Sequence, residues 1–375
     1  MILRTSEELI LNSLMEHKKV VILFGARQVG KTTLSNKILS GFDGKKLLVN
    51  GDETKYIETF SSRDFSKMKL LLDGYDLLFI DEAQRIPDIG INLKIIIDNM
   101  PDLKIMVTGS SSFDLANKVK EPLTGRSATF RLYPFSIQEM RQKMSVFEIQ
   151  QRLEEFLLYG LYPDITQYSS SRDKEKYLLE LSSAYLYKDV LELSTIRNSA
   201  KIHKLLRLIA FQVGSEVSLN EIAKSLGMSQ ETVDNYIDLL EKAFVVFRLG
   251  GFSRNLRKEV SKRDKIFFWD LGIRNSLIQN FSPLSLRTDI GALWENFIIS
   301  ERLKYLNNNG ITASSYFWRT YTGAEIDYIE EQNGVLSGYE IKYSKARKKA
   351  PQAWITNYGQ NFKNITRDNF WEFIV

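Results

Sequence analysis

The chain has 375 residues, 43% of them hydrophobic and 26% charged, enough for two or three domains with apolar cores. The absence of cysteine excludes a disulfide scaffold and thiolate metal sites, and two distant histidines, His17 and His203, exclude a histidine-rich metal cluster. A net charge of +5 permits nucleic-acid binding without demonstrating it.

The N-terminal segment carries Glu7 and Glu8 and lacks a small-residue cleavage site, so it does not read as a signal peptide. The apolar run at 20–24 is far too short to cross a bilayer. A cytoplasmic protein without a membrane partner is expected. Residues 6–18 have the spacing of an amphipathic helix, and "VVILFG" (20–25) that of a buried parallel strand. Helical spacing follows from 32 to 39. "KKLLVNGD", "YDLLFIDEAQ" and "DLKIMVTGSSS" repeat the strand pattern, with helical segments between them, notably 91–99. Strands alternating with helices predict an α/β unit with a parallel sheet.

"GARQVGKTT" places Gly25, Ala26, Arg27, Gln28, Val29, Gly30, Lys31, Thr32 and Thr33 in a G-x-x-x-x-G-K-[ST] phosphate loop between a strand and a helix. Backbone N–H groups there can close around phosphates. Lys31 can neutralise the β/γ oxygens, and Thr32 can ligate Mg²⁺. ATP and Mg²⁺ are the expected cofactors. The strand "LLFI" then presents Asp81 as the metal carboxylate and Glu82 as the catalytic base. At the end of the next strand, Thr108 or Ser110 can contact the γ-phosphate or the attacking water; Ser110 or Ser111 can equally cap a helix. Arg126 is either an arginine finger, which acting in trans would make the protein a homo-oligomer, or a solvated loop residue.

The phosphate loop, "FIDEAQ", "TGSSS" and "GR…YPFS", in this order, resemble AAA-superfamily ATPases of bacteria and archaea. The later stretches "YLYKDVLELSTIRN", "KIFFWDLGIRN" and "ALWENFIISERL" sit where that group has comparable segments. The resemblance therefore covers most of the chain. In a frequent architecture of the group, a winged helix and a domain related to PD-(D/E)xK nucleases follow the ATPase. It implies a P-loop AAA core at 1–135, a helical lid or linker at 136–199, a winged helix at 200–282 and a nuclease-like α/β domain at 283–375.

The residues support those later divisions in different degrees. Residues 136–198 read as mostly helical. Two short helices joined by "GMS", then the strands "FVVFRLGGF" and "KIFFWD", make a winged-helix pattern. The open face of the second helix, 230–242, holds Glu231, Asp234, Asn235, Asp238 and Glu241, which would repel phosphates. The loop "SRNLRKEVSKRDK" is basic, with Arg254, Arg257, Lys258, Lys262, Arg263 and Lys265, and suits a phosphate backbone.

In the last domain a helix at 290–308 precedes the strands "SSYFWRT", "AEIDYIE" and "VLSGYEIKYS". Asn333-Gly334 is a strong two-residue hairpin signal. Counting outward sets Gln332 opposite Val335, Tyr328 opposite Tyr339, Asp327 opposite Glu340 and Glu325 opposite Lys342. The last four share one face; Ile326, Tyr328, Tyr339 and Ile341 share the other. Facing carboxylates at Asp327 and Glu340 repel unless a cation lies between them, and Mg²⁺ would serve. Lys342 would position the nucleophile or offset charge, with Glu295 as a further ligand or orienter. The set Glu295, Asp327, Glu340-x-Lys342 is similar to the PD-(D/E)xK pattern, except that Ile326 stands where many members have Pro.

The expected protein is an ATP-hydrolysing, DNA-associated AAA ATPase with a nuclease-like metal site. The alternative is a regulatory ATPase switch that binds a protein and whose C-terminal domain is catalytically inactive.

Overall fold

The computed structural model describes residues 2–16, 18–109, 122–185, 199–254, 263–344 and 349–375. Ser110, Ser111, the stretch 186–198 and the loop residues Arg257, Lys258 and Lys262 lie outside them.

The first unit alternates helices and strands: α1 (Glu7–Glu16), β1 (Val20–Gly25), α2 (Lys31–Ser40), β2 (Lys46–Asn50), α3 (Thr54–Phe60), α4 (Phe65–Leu72), β3 (Leu77–Asp81), α5 (Ile89–Asn99), β4 (Lys104–Gly109) and β5 (Ser127–Leu132). All five strands are parallel, in the order β2-β3-β4-β1-β5. Helices on both faces demand strands apolar on both sides. β1 is accordingly buried along its whole length, whereas the edge strands β2 and β5 are partly exposed. The topology carries the chain from β1, in the sheet's interior, to β2 at its far edge. The loop after β1 is therefore flanked by the ends of its neighbours β4 and β5, with β3 beyond β4.

A helical segment follows: α6 (Ile137–Met140), α7 (Val146–Gln151), α8 (Leu153–Tyr159) and α9 (Ser171–Tyr185). Ser136 with Glu139 and Ser145 with Glu148 close capping boxes at the first two. Then come α10 (Ser199–Phe211), α11 (Leu219–Leu226), α12 (Gln230–Lys242) and the antiparallel hairpin β6 (Val246–Gly251)/β7 (Lys265–Phe268). α13 (Leu271–Leu277) and the long α14 (Ile290–Asn308) lead into β8 (Ser314–Arg319), β9 (Glu325–Gln332), β10 (Val335–Ile341), α15 (Gln352–Tyr358), β11 (Phe362–Ile365) and α16 (Trp371–Ile374).

The β6–β7 hairpin is not a free ribbon. β6 pairs in parallel with β8 through Gly250↔Tyr316 and Gly251↔Phe317, so one six-stranded sheet, β11-β10-β9-β8-β6-β7, crosses residue 282. Two aromatic layers cover it. Tyr328, Tyr339 and Phe373 meet on one side, and Ile326 joins Trp318 and Trp354 in a separate cluster.

Candidate functional site

Residues 25–30 turn tightly from β1 into α2. The turn needs glycine at Gly25, because a Cβ there would overlap the Leu132 carbonyl of the neighbouring strand. Lys31, 8% exposed, donates from Nζ to the carbonyls of Gly25 and Ala26, both at 2.8 Å. Gln28, at the loop's crest with φ of 59°, accepts from the Tyr177 hydroxyl of α9 at 2.8 Å. Arg4 grips the same loop from the N-terminal segment. Its guanidinium donates to the Val29 and Tyr133 carbonyls and to Glu139, and lies 4.4 Å from the centre of the Phe135 ring. A cavity of about 470 Å³ opens beside the loop, lined by Arg4, Val29, Gly30, Leu34, Phe135 and Pro163 among others.

The neighbouring strand ends bring polar groups to this loop. The Thr32 hydroxyl donates to Asp81 Oδ2 at 3.3 Å, and the Thr108 hydroxyl to Asp81 Oδ1. Thr108 is fully buried. Glu82 follows in a left-handed conformation, φ 51°, and its carboxylate accepts from the Gln84 amide. The hydroxyl of Thr32 and the carboxylate of Asp81 are hard oxygen donors beside a phosphate cradle. They fit Mg²⁺, which is held by one or two carboxylates plus substrate phosphates. Arg126 lies elsewhere. Its carbonyl accepts the Val20 N–H at the start of β1, and its guanidinium pairs with Asp98 at 2.6 Å. A six-residue strand separates it from the phosphate loop, roughly 17 Å at 3.3 Å per residue. Arg126 cannot serve as a finger within its own chain.

The predicted hairpin register holds from Val335↔Gln332 to Tyr339↔Tyr328. There the ladder stops. The Ile341 N–H donates to the Asp327 carboxylate at 2.8 Å instead of to a main-chain carbonyl. The β8–β9 pairing also shifts between Tyr316 and Trp318. This bulge sends Ile326 to the Trp318/Trp354 cluster while Tyr328 stays with Tyr339, so the expectation that Ile326 and Tyr328 share a face is corrected.

Asp327 and Glu340 do come together, both nearly buried, but a lysine joins them: Lys342 Nζ lies 3.0 Å from Asp327 Oδ2 and 3.0 Å from Glu340 Oε1. Glu325 is not bonded to Lys342. It pairs with Lys265 at 2.7 Å, and the same ammonium reaches Glu295 at 3.1 Å. Burial pushes the Glu295 carboxyl up to about 7; Lys265 opposes this, and the charges of Asp327 and Glu325 reinforce it. One oxygen of each of four carboxylates is thus held by an ammonium. As arranged, the centre does not fit a divalent metal, and among the described residues no group of three or more His, Asp or Glu is placed to hold one.

Reasoning from sequence missed Lys265 and assigned it to the basic loop. The available signal was a lysine opening the wholly buried strand "KIFF", where it needs a partner. It also missed Arg4 and Gln84, for which spacing offers no signal. The acidic face of α12 is largely satisfied within the chain: Arg248 of β6 pairs with Asp234 at 2.6 Å, Asp238 at 2.8 Å and Glu241 at 3.2 Å. Arg254 pairs with Glu331 of β9 at 2.8 Å. No helix among the described residues is long and apolar enough to cross a membrane.

Comparison with known sequences matches residues 17–141 to a family described as "AAA domain". Residues 150–284 and 290–364 match families described as domains of unknown function, DUF8612 and DUF4143. The chain is 30% identical over 333 residues to the uncharacterized protein Rv2008c of Mycobacterium tuberculosis, covering 86% of this chain and 70% of that one. It is 24% identical over 376 residues to the uncharacterized protein MJ1544 of Methanocaldococcus jannaschii, covering 94% and 80%. Among solved structures, the Walker-type ATPase PABY2304 of Pyrococcus abyssi superposes with a TM-score of 0.52 at 17% identity, over 74% of this chain and 96% of that one.

Proposed function

The chain belongs to one family with the mycobacterial protein Rv2008c and has an AAA-type ATPase domain, and on that premise we propose that it hydrolyses ATP to drive a DNA-associated function. Residues 25–33 cradle the phosphates, Lys31 turns from its carbonyl partners to the β/γ oxygens, and Thr32 and Asp81 hold Mg²⁺. Glu82 directs the attacking water, with Thr108 fixing the Asp81 carboxylate. The adenosine occupies the cavity between Arg4 and Pro163. A finger role for Arg126 requires a neighbouring copy of the chain. The observation that carries this reading is the line Thr32–Asp81–Thr108, assembled beside the phosphate loop.

We read α10 to α12 with the β6–β7 hairpin as a winged helix, and α14 with β8 to β10 as a nuclease-like domain. The basic loop between β6 and β7 is the part suited to a phosphate backbone. The ammonium groups of Lys265 and Lys342 among the carboxylates favour the second form of this proposal, a switch whose C-terminal domain keeps the nuclease-like set without cleaving.

The test is ATPase and nuclease assay of the purified protein with linear, single-stranded and branched DNA, in Mg²⁺ or Mn²⁺. Lys31→Ala should abolish ATP turnover. DNA should stimulate the wild-type ATPase; neither stimulation nor a DNA mobility shift at moderate salt would point to a protein partner instead. Cleavage that Asp327→Ala abolishes while sparing ATP turnover would rule out the non-cleaving form.

A further inference from the structure

The C-terminal centre contains four carboxylates, Glu295, Glu325, Asp327 and Glu340, contributed by α14, β9 and β10. Lys342 belongs to the same hairpin as three of them, Glu325, Asp327 and Glu340. Lys265 does not: it comes from β7, the edge strand separated from β9 by β8 and β6. It is 3% exposed, and its ammonium lies 3.1 Å from Glu295 Oε1 and 2.7 Å from Glu325 Oε1. Its ammonium lies over the Phe317 ring, with Nζ 5.3 Å from the ring centre. A lysine is almost never buried to this extent without a compensating charge.

We propose that Lys265 is the resident cation of this centre, occupying the space between Glu295 and the β9 carboxylates and closing it to a divalent metal. The inference rests on the reading of Glu295, Asp327, Glu340 and Lys342 as a nuclease-like set. Mg²⁺ and Mn²⁺ need oxygen ligands close in, about 2.0–2.1 Å for Mg²⁺. An ammonium hydrogen-bonded to the same carboxylates holds those oxygens at distances that suit nitrogen. A divalent ion entering beside it would also meet a like charge in a poorly solvated site, where repulsion is several times stronger than in water. Burial works against the charge on Lys265, but the neighbouring carboxylates of Glu295, Glu325 and Asp327 raise its pKa on balance.

Mn²⁺ binding measured on the full-length chain without nucleotide, in an Asp81→Asn background that silences the ATPase metal, separates the outcomes. The free Mn²⁺ signal in electron paramagnetic resonance reports binding, and thermal unfolding with and without Mn²⁺ reports its linkage to folding. The expected result is that Asp327→Asn changes nothing in the Lys265 protein. Lys265→Met gains a Mn²⁺ site and a Mn²⁺-dependent rise in melting temperature, and adding Asp327→Asn removes both. Asp327-dependent Mn²⁺ binding with Lys265 in place overturns the closure while leaving the nuclease-like reading intact. A folded Lys265→Met protein that binds no Mn²⁺ overturns both. Should Lys265→Met fail to fold, the same Mn²⁺ measurements on Lys265→Leu paired with Glu325→Leu, which removes the buried ammonium together with one of its carboxylates, decide the question.

Discussion

At Glu82 the backbone and a neighbouring side chain act together. A glutamate with φ near +51° is uncommon outside glycine and asparagine, and the conformation turns the side chain out of the β3 line. The Gln84 amide then holds the carboxylate. Asp81, one residue earlier, is spoken for by the hydroxyls of Thr32 and Thr108. The two acids are thereby separated by role: one is fixed among hydroxyls beside the phosphate cradle, the other hangs from a single amide that a water or nucleotide can displace. Glu82→Gln keeps the shape and the amide contact but removes the basic oxygen. It should leave ATP binding intact and lower turnover by about 10²–10⁴-fold, the usual worth of a general base. Equilibrium binding of a fluorescent ATP analogue alongside single-turnover hydrolysis checks this. Loss of both together would mean that Glu82 supports the fold of the loop rather than the chemistry.

Strands β1 to β4 of the first sheet were legible because each is an apolar run closed by a polar or glycine residue, the composition that burial on two faces imposes on β1, β3 and β4; β5, "SATFRL", is partly exposed and mixed in composition, and its sequence does not read as a strand. The β9–β10 turn was legible for a different reason. Asn333 and Gly334 take φ of 50° and 79°, the left-handed pair that a two-residue turn requires. Gly334→Ala puts a Cβ on that backbone and should destabilise the hairpin by about 1 kcal/mol, read as a lower denaturant midpoint with unchanged slope. What stayed hidden was the end of the ladder. The Asp327 carboxylate replaces a main-chain acceptor for Ile341, and the shift against β8 redirects Ile326; neither leaves a mark in a period-2 pattern. β11 was hidden too, since "FKNI" is four residues with no alternation to read, paired in parallel to β10 only after α15 returns the chain. The partner of Glu325 was missed because Lys265 lies sixty residues away in sequence, and hairpin counting sees only the hairpin.

One helix joins the two halves of the molecule. α14 carries Glu295 into the C-terminal centre and, two turns later, Glu301 and Lys304 into the segment after β5. Glu301 Oε2 accepts the Ile137 N–H at 2.6 Å, Glu301 Oε1 pairs with Lys304 at 2.7 Å, and Lys304 donates to the Phe135 carbonyl at 3.2 Å. Ile137 opens α6, whose capping residue Glu139 receives Arg4, and Arg4 in turn holds Val29 of the phosphate loop. Arg4, Glu139, Glu301 and Lys304 on this path are each less than a tenth exposed. Burial raises the Glu301 carboxyl against the pull of Lys304, as expected where desolvation and ion pairing oppose each other inside a protein. Such a pair adds little beyond an apolar pair of the same volume, yet removing one member strands the other. Glu301→Leu should therefore destabilise the chain by about 3–5 kcal/mol by leaving the Lys304 ammonium without its carboxylate, whereas Glu301→Leu with Lys304→Met should recover most of that loss. Thermal unfolding of the two variants and the parent measures the difference. If the double variant is as unstable as the single one, the hydrogen bonds to Ile137 and Phe135 carry the docking of α14, and the ion pair is incidental to it.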